Sequence, residues 1–198
     1  ILSLIFRKFA IVQFSPIKAL TMNNLKQKFE ENASELGAEI KAMLKEHGDK
    51  TVGEIKLSQI YAGMRGMIGL VCETSLLDAD EGIHFRGHSI PDLVEKLPKI
   101  EGGTQPLPEG LFYLMLIGEL PSDADAEMVS AAWGRRSHVP NHVFEAINKL
   151  PLHTHPMTML SIGIMAMQTE SVFAKAYKDG VSKSEYWDAT FEDCLNLT

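Results

Sequence analysis

The sequence predicts a mainly α-helical domain with one small β-hairpin near its N-terminus. Two observations indicate this fold class. From about residue 109 onward, apolar side chains recur every three or four residues, and short Pro- or Gly-containing breaks separate the runs, as in consecutive amphipathic helices. Earlier in the chain, two short extended runs flank Asp78-Ala-Asp-Glu-Gly82, whose turn-forming residues are typical of a hairpin.

The composition is that of a globular protein with an acidic body. Hydrophobic residues make up 45% and charged residues 23% of the 198 residues. Residues 1–29 hold five basic residues and no acid, which leaves −12 on the rest of a chain whose net charge is −7. An acidic body argues against nucleic-acid binding, and no apolar run reaches the roughly 18 residues that span a bilayer.

The two cysteines, Cys72 and Cys194, form no C-x-x-C pair, so we expect reduced thiols and no structural zinc.

The first 21 residues differ in character from the rest. Residues 1–14 are apolar and acid-free, with two central bases, Arg7 and Lys8, and Pro16 then interrupts any helix. This pattern favours a mitochondrial presequence, the alternative being a leader that precedes a true start at Met22.

The elements follow in order from residue 23. The spacing of apolar residues predicts an amphipathic helix over 23–47, and the glycine-rich stretch 51–71 predicts short strands and bends. Capping-box patterns predict helix starts at Ser89 and Ser182. Ser122 is predicted to cap a helix whose first turn holds Asp123 and Asp125. The helix that begins at Pro156 is so apolar that we expect it to be buried on most sides.

Arg65 is the most informative charged residue. It lies in Gly63-Met-Arg-Gly66, where the glycines allow a ligand to approach the backbone closely. A guanidinium is a planar fork that matches a phosphate bidentately. From spacing alone, phosphate binding and an ion pair with an acid of the body are equally supported.

Other polar groups carry more ordinary interpretations. His153 and His155 could share a metal, but a histidine beside a proline at a helix start favours capping or packing. Asp78, Asp80 and Glu81 lack the later glutamate of a calcium loop, which indicates a solvated turn. We therefore predict no metal site. We expect His84 and His88 on the hairpin surface, or in the core with their hydrogen bonds satisfied. We expect the methionines between residues 157 and 167 to lie in the core.

The ordered motifs of the chain resemble the citrate synthase family of mitochondrial type. The resemblance covers about residues 25–198, and its parts occur in the family's order. They are Tyr61-Ala-Gly-Met-Arg-Gly66, Glu73-Thr-Ser-Leu-Leu-Asp78, Asp80-Glu-Gly-Ile-His-Phe-Arg-Gly87, Ser89-Ile-Pro91, Pro106-Leu-Pro-Glu-Gly-Leu-Phe112, Gly118-Glu-Leu-Pro121, His155-Pro-Met157 and Phe173-Ala-Lys-Ala-Tyr177. Two positions depart from the family, where arginine is usual at His84 and tyrosine is common at His88, and neither is catalytic in the family.

The resemblance implies a multi-helical large domain over residues 22–198, present in part, and a homodimeric acyltransferase of the mitochondrial matrix. Such an enzyme condenses acetyl-CoA with oxaloacetate to citrate by acid-base and electrostatic catalysis, with coenzyme A as part of the substrate and no prosthetic group. It also implies that Arg65 contacts coenzyme A phosphates. The family's catalytic His and Asp lie beyond the equivalent of Thr198, so no catalytic residue is assigned and we expect this chain alone to be inactive.

Two alternatives to citrate synthase stay open from the sequence. A 2-methylcitrate synthase would share much of this segment, and the residues that select the substrate are not in it. A non-catalytic helical subunit, able to pair with longer partners, is the alternative from another class of protein.

Overall fold

The computed structural model describes residues 22–67 and 69–198. The presequence prediction for residues 1–21 lies outside the described residues. The mainly α prediction is confirmed, and the helices and strands follow in the order α1 Met22–His47, α2 Leu57–Tyr61, β1 Ser75–Asp78, β2 Gly82–Phe85, β3 His88–Ser89, α3 Ile90–Lys96, α4 Pro108–Ile117, α5 Asp123–Arg136, α6 Asn141–Asn148, α7 Pro156–Ala166, α8 Val172–Lys178 and α9 Tyr186–Leu197.

The predicted hairpin is part of a three-stranded antiparallel sheet in the order β1-β2-β3. Strands β1 and β2 pair from Ser75 opposite Phe85 to Asp78 opposite Gly82. The turn between them is closed by the Asp78 carboxylate, which accepts the N–H groups of Asp80 and Glu81 at 2.8 Å each. The sequence did not indicate β3, whose two residues pair with the end of β2.

Two of the predicted helix starts are capping boxes in the structure. The Ser89 hydroxyl accepts the Asp92 N–H at 3.3 Å, and the Asp92 carboxylate accepts the Ser89 N–H at 3.3 Å. In the same way, the Ser122 hydroxyl accepts the Asp125 N–H at 3.3 Å, and the Asp125 carboxylate accepts the Ser122 N–H at 2.9 Å. The Ser182 start differs, because a single 3₁₀ turn, Lys183–Glu185, precedes α9.

The main core is formed where α1, α4, α5 and α9 meet. Its central side chains, Leu25, Val129 and Leu195, are at most 1% exposed. A second buried group joins α3 to α4 through Leu93, Leu97 and Leu114. The sheet is tied to this body by Arg86, which donates to the Met115 carbonyl at 2.8 Å near the C-terminal end of α4, where a cation is favourable.

Two expectations from the sequence are wrong. Helix α7 is not buried on most sides, since Met157, Leu160 and Met165 are at least half exposed. Its one fully buried described residue is Gly163, where an added Cβ would lie 3.2 Å from Ile147 of α6. The stretch 51–71 contains the short helix α2 and a turn, and its described residues form no strand.

Candidate functional site

The segment that carries Arg65 is a tight turn that follows helix α2. We call residues 63–67 the arginine turn. The Met67 N–H donates to the Met64 carbonyl at 3.3 Å, which closes a four-residue turn with Arg65 and Gly66 at its two corners. Gly66 has φ +71°, the positive value that a type II turn requires at its third residue. Arg65 therefore projects from the outer corner of a defined turn.

The backbone before Arg65 is also in the left-handed region. Gly63 has φ +70° and Met64 has φ +65°. Glycine adopts this conformation freely, whereas a methionine there is strained by about 1–2 kcal/mol. Strain of this kind persists only where surrounding contacts hold it, and it concentrates at functional sites. The contact here is a 2.8 Å hydrogen bond from the Met64 N–H to the Gln59 carbonyl.

The arginine turn presents unpaired donors to solvent. Arg65 is exposed, and no described residue forms an ion pair with its guanidinium. The acid-pairing alternative is thus not seen within the described residues. The N–H groups of Arg65 and Gly66 also find no acceptor in residues 22–67 and 69–198. A guanidinium beside free backbone N–H groups is suited to an oxyanion such as a phosphate.

Sequence reasoning found Arg65 but missed Gln59, whose side chain bonds to both Lys56 and Gly66. A glutamine three residues into a helix is a capping-box signal, so the bond to Lys56 could have been anticipated. The bond to Gly66 had no sequence signal, because it depends on the chain folding back over α2.

The histidines and acids singled out in the sequence have structural roles. The His155 Nδ1 accepts the Met157 N–H at 3.1 Å and caps α7, which confirms the capping interpretation. In the hairpin, the His84 Nε2 lies 3.4 Å from the Glu81 Oε2. Across the described part of the chain, no group of three His, Cys, Asp or Glu side chains is placed to hold a metal ion. No helix within 22–67 and 69–198 has the length and apolarity to cross a bilayer.

A cleft of about 420 Å³ lies elsewhere, between the segment that follows α5, the turn that follows α7 and the end of α9, and its lining includes His138, Gln168 and Asp193. Asp193 is already used structurally, since it accepts the Val172 and Phe173 N–H groups at 2.7 and 3.1 Å and caps α8. None of the lining residues belongs to the arginine turn.

An ion-pair network joins the start of α1, the end of α5 and the middle of α9. Glu192 lies 2.6 Å from Lys26 and 2.7 Å from Arg136. Partial burial alone would raise the pKa of Glu192, but the hydrogen bonds from Lys26 and Arg136 outweigh it and hold the pKa below its usual value. Partial burial would likewise lower the pKa of Lys26, and its bonds to Asp188 and Glu192 raise it instead.

The fold and the turn define a mainly helical protein with an exposed arginine at the corner of a tight turn. The family profile described as "Citrate synthase, C-terminal domain" matches residues 63–197, more than half of the chain. The chain belongs to the citrate synthase family, as its motifs predicted.

Named relatives agree with this assignment. The chain is 48% identical over 96% of its length to "Citrate synthase, mitochondrial" of Saccharomyces cerevisiae and 49% identical over 87% to the protein of that name in Neurospora crassa. It is 50% identical over 89% to "2-methylcitrate synthase, mitochondrial" of Yarrowia lipolytica. The matches cover 40%, 37% and 38% of those relatives, so the chain spans about two fifths of their length.

Proposed function

We propose that the native-length protein carrying this sequence is a citrate synthase, which condenses acetyl-CoA with oxaloacetate to citrate and releases coenzyme A. The observation that supports it most directly is Arg65, an exposed guanidinium that pairs with no acid of the described residues and lies on a tight turn within the stretch that matches the family. In this proposal, Arg65 binds coenzyme A phosphates, and the bond-forming chemistry belongs to residues that follow Thr198 in the family's order.

Replacing Arg65 with alanine tests the coenzyme role. A lost charge-assisted hydrogen bond corresponds to about 1.5–3 kcal/mol, and solvent exposure reduces this to about 1–2 kcal/mol. We expect the KM for acetyl-CoA to rise about 5- to 30-fold while the KM for oxaloacetate is unchanged. Arg135→Ala is the matched control, because Arg135 is also exposed but lies at the end of α5. An unchanged KM for acetyl-CoA in Arg65→Ala contradicts the assignment.

A 2-methylcitrate synthase is the second candidate, supported by the 50% identical relative of that name. Its product carries one more carbon, so its thioester substrate would be propionyl-CoA in place of acetyl-CoA. A pocket discriminates one methylene by about 10- to 200-fold at most. Thiol release should therefore be compared for both thioesters at equal concentration. A higher kcat/KM for propionyl-CoA would select this second candidate.

The non-catalytic alternative makes a different prediction from either enzyme. A helical subunit without activity would release no thiol from acetyl-CoA in the presence of oxaloacetate at any concentration of native-length protein. Activity that requires oxaloacetate and survives dialysis against EDTA supports the citrate synthase proposal, in which coenzyme A is part of the substrate and no prosthetic group is bound.

The proposed assembly is a homodimer in the mitochondrial matrix. The exposed apolar side chains of α6 and α7, including Phe144, Leu160 and Met165, offer a surface of the kind that a subunit interface buries. The names of the relatives, which include the word mitochondrial, support a mitochondrial location. Light scattering would give the native mass, and fractionation of mitochondria would separate matrix from membrane. A monomeric mass would contradict the dimer.

A further inference from the structure

Gln59 stands out because it is the most covered residue of an otherwise exposed segment. Between residues 51 and 66 it alone is half-buried. The apolar side chains on either side, Leu57 and Ile60, are 70% and 58% exposed. A polar side chain that is more covered than its apolar neighbours is held by hydrogen bonds, because burial by itself does not favour it.

The hydrogen bonds of Gln59 fix the arginine turn on both sides of Arg65. The side-chain Nε2 donates to the Gly66 carbonyl at 3.1 Å, just after the arginine. The backbone carbonyl of Gln59 accepts the Met64 N–H at 2.8 Å, just before it. The side-chain Oε1 accepts the Lys56 N–H at 2.9 Å, which anchors the amide to the start of α2.

The turn has little else to hold its shape. Met64 and Gly66 both require positive φ, and Met64 is strained in that conformation. Arg65, Met64 and Gly66 are all exposed, so apolar packing by the described part of the chain does not compensate for the strain. A freely moving turn would have to be ordered whenever a ligand binds, and that ordering weakens binding.

From this geometry we infer that Gln59 is a positioning residue for coenzyme A recognition, which holds the arginine turn in the shape that presents Arg65 to phosphate. The inference rests on the proposed function, because it assigns Gln59 to the same site. Gln59 itself touches neither the substrate nor the reacting atoms. It acts only through the turn, so its effect requires Arg65.

A double-mutant cycle in the native-length protein tests this role. Gln59→Met keeps the length of the side chain and removes both of its hydrogen bonds. We expect the KM for acetyl-CoA to rise about two- to tenfold, with kcat and the KM for oxaloacetate unchanged. Ser58→Ala is the matched control, since Ser58 lies on the same helix, is exposed, and makes no side-chain hydrogen bond within the described residues. In an Arg65→Ala background, Gln59→Met should produce no further rise.

Each outcome of the cycle is decisive. A rise of the same factor with and without Arg65 would mean that Gln59 acts independently of the arginine and would overturn the inference. So would equal changes in the values for both substrates, which indicate a general loss of structure. A raised KM in Arg65→Ala with no change in Gln59→Met overturns the positioning role alone. An unchanged KM in Arg65→Ala overturns the coenzyme role and the inference together.

Discussion

Replacing Gly66 with alanine would test whether coenzyme A recognition depends on the shape of the arginine turn. Gly66 has φ +71°, and among the described residues an added Cβ would meet only the Gln59 Nε2 within 4 Å, at 3.8 Å. That distance is ordinary van der Waals contact. The substitution therefore adds backbone strain without a steric clash, and it leaves the Arg65 side chain in place.

The expected magnitude follows from the backbone conformation. Placing an L-residue in the left-handed region costs about 1–2 kcal/mol. When the variant must recover the native turn to bind, that cost weakens binding by the same free energy, or about 5- to 30-fold. We expect this rise in the KM for acetyl-CoA. The kcat at saturation and the KM for oxaloacetate should be unchanged, because neither depends on the turn.

The assay is initial-rate thiol release with the native-length protein, with each substrate varied in turn. Gly69→Ala is the matched control, since Gly69 is not among the described glycines with positive φ, and no described residue lies within 4 Å of a Cβ added there. The reasoning is refuted when Gly66→Ala and Gly69→Ala give the same KM for acetyl-CoA. It is also refuted when Gly66→Ala changes the values for both substrates alike.

Three further predictions concern the body of the chain. Leu114 is fully buried, so Leu114→Ala should lower the free energy of unfolding by about 2–5 kcal/mol in urea titration, whereas Leu152→Ala, at a fully exposed position, should change it by less than about 0.5 kcal/mol. The lowered pKa of Glu192 means that its contacts stabilise fully above about pH 4.5 and lose their effect as the pH falls through the lowered pKa. Glu192→Gln should therefore destabilise at pH 7 and make a smaller difference at pH 3, and an equal difference at both pH values would contradict the ion-pair account. Hydrogen bonds with the Thr74 and Ser75 hydroxyls lower the pKa of Cys72 to about 7, and burial raises the pKa of Cys194. At pH 7, iodoacetamide should alkylate Cys72 first, as measured by peptide mass spectrometry, and Thr74→Val should slow that reaction.

The features that the sequence predicted correctly are those whose determinants are close together in the chain. A capping box needs only two residues three positions apart, as at Ser89 with Asp92, and a helix cap needs only a serine before an acidic first turn, as at Ser122. The hairpin turn is similarly local, because the Asp78 carboxylate reaches only to residues 80 and 81. These interactions do not depend on contacts with the rest of the fold, so spacing and residue type are sufficient to predict them.

The features that it missed depend on contacts between distant parts of the chain. The bond from Arg86 to the Met115 carbonyl, which ties the sheet to α4, joins residues 29 positions apart. Helix α7 shows the same limit for burial. Its composition predicts apolar contacts on many of its faces. Which faces are covered depends on the elements that pack against the helix, and among the described residues the main one is α6, at Gly163.

The candidate site combines both situations. The motif around Arg65 identified the residue, and the flanking glycines predicted a close backbone approach. Neither the motif nor the glycines could distinguish a bound ligand from an internal ion pair. That distinction depends on which acids the fold places near the guanidinium, and no acid of the described residues forms an ion pair with it. The side chain that shapes the turn, Gln59, lies seven residues from its partner Gly66 and is recognised only when the turn is seen to fold back onto α2. Exposed turns of this kind hold their shape through a few hydrogen bonds in place of a core. Their function is therefore more sensitive to a substitution such as Gln59→Met than the stability of the whole protein is, and measurements of KM reveal such residues where unfolding experiments do not.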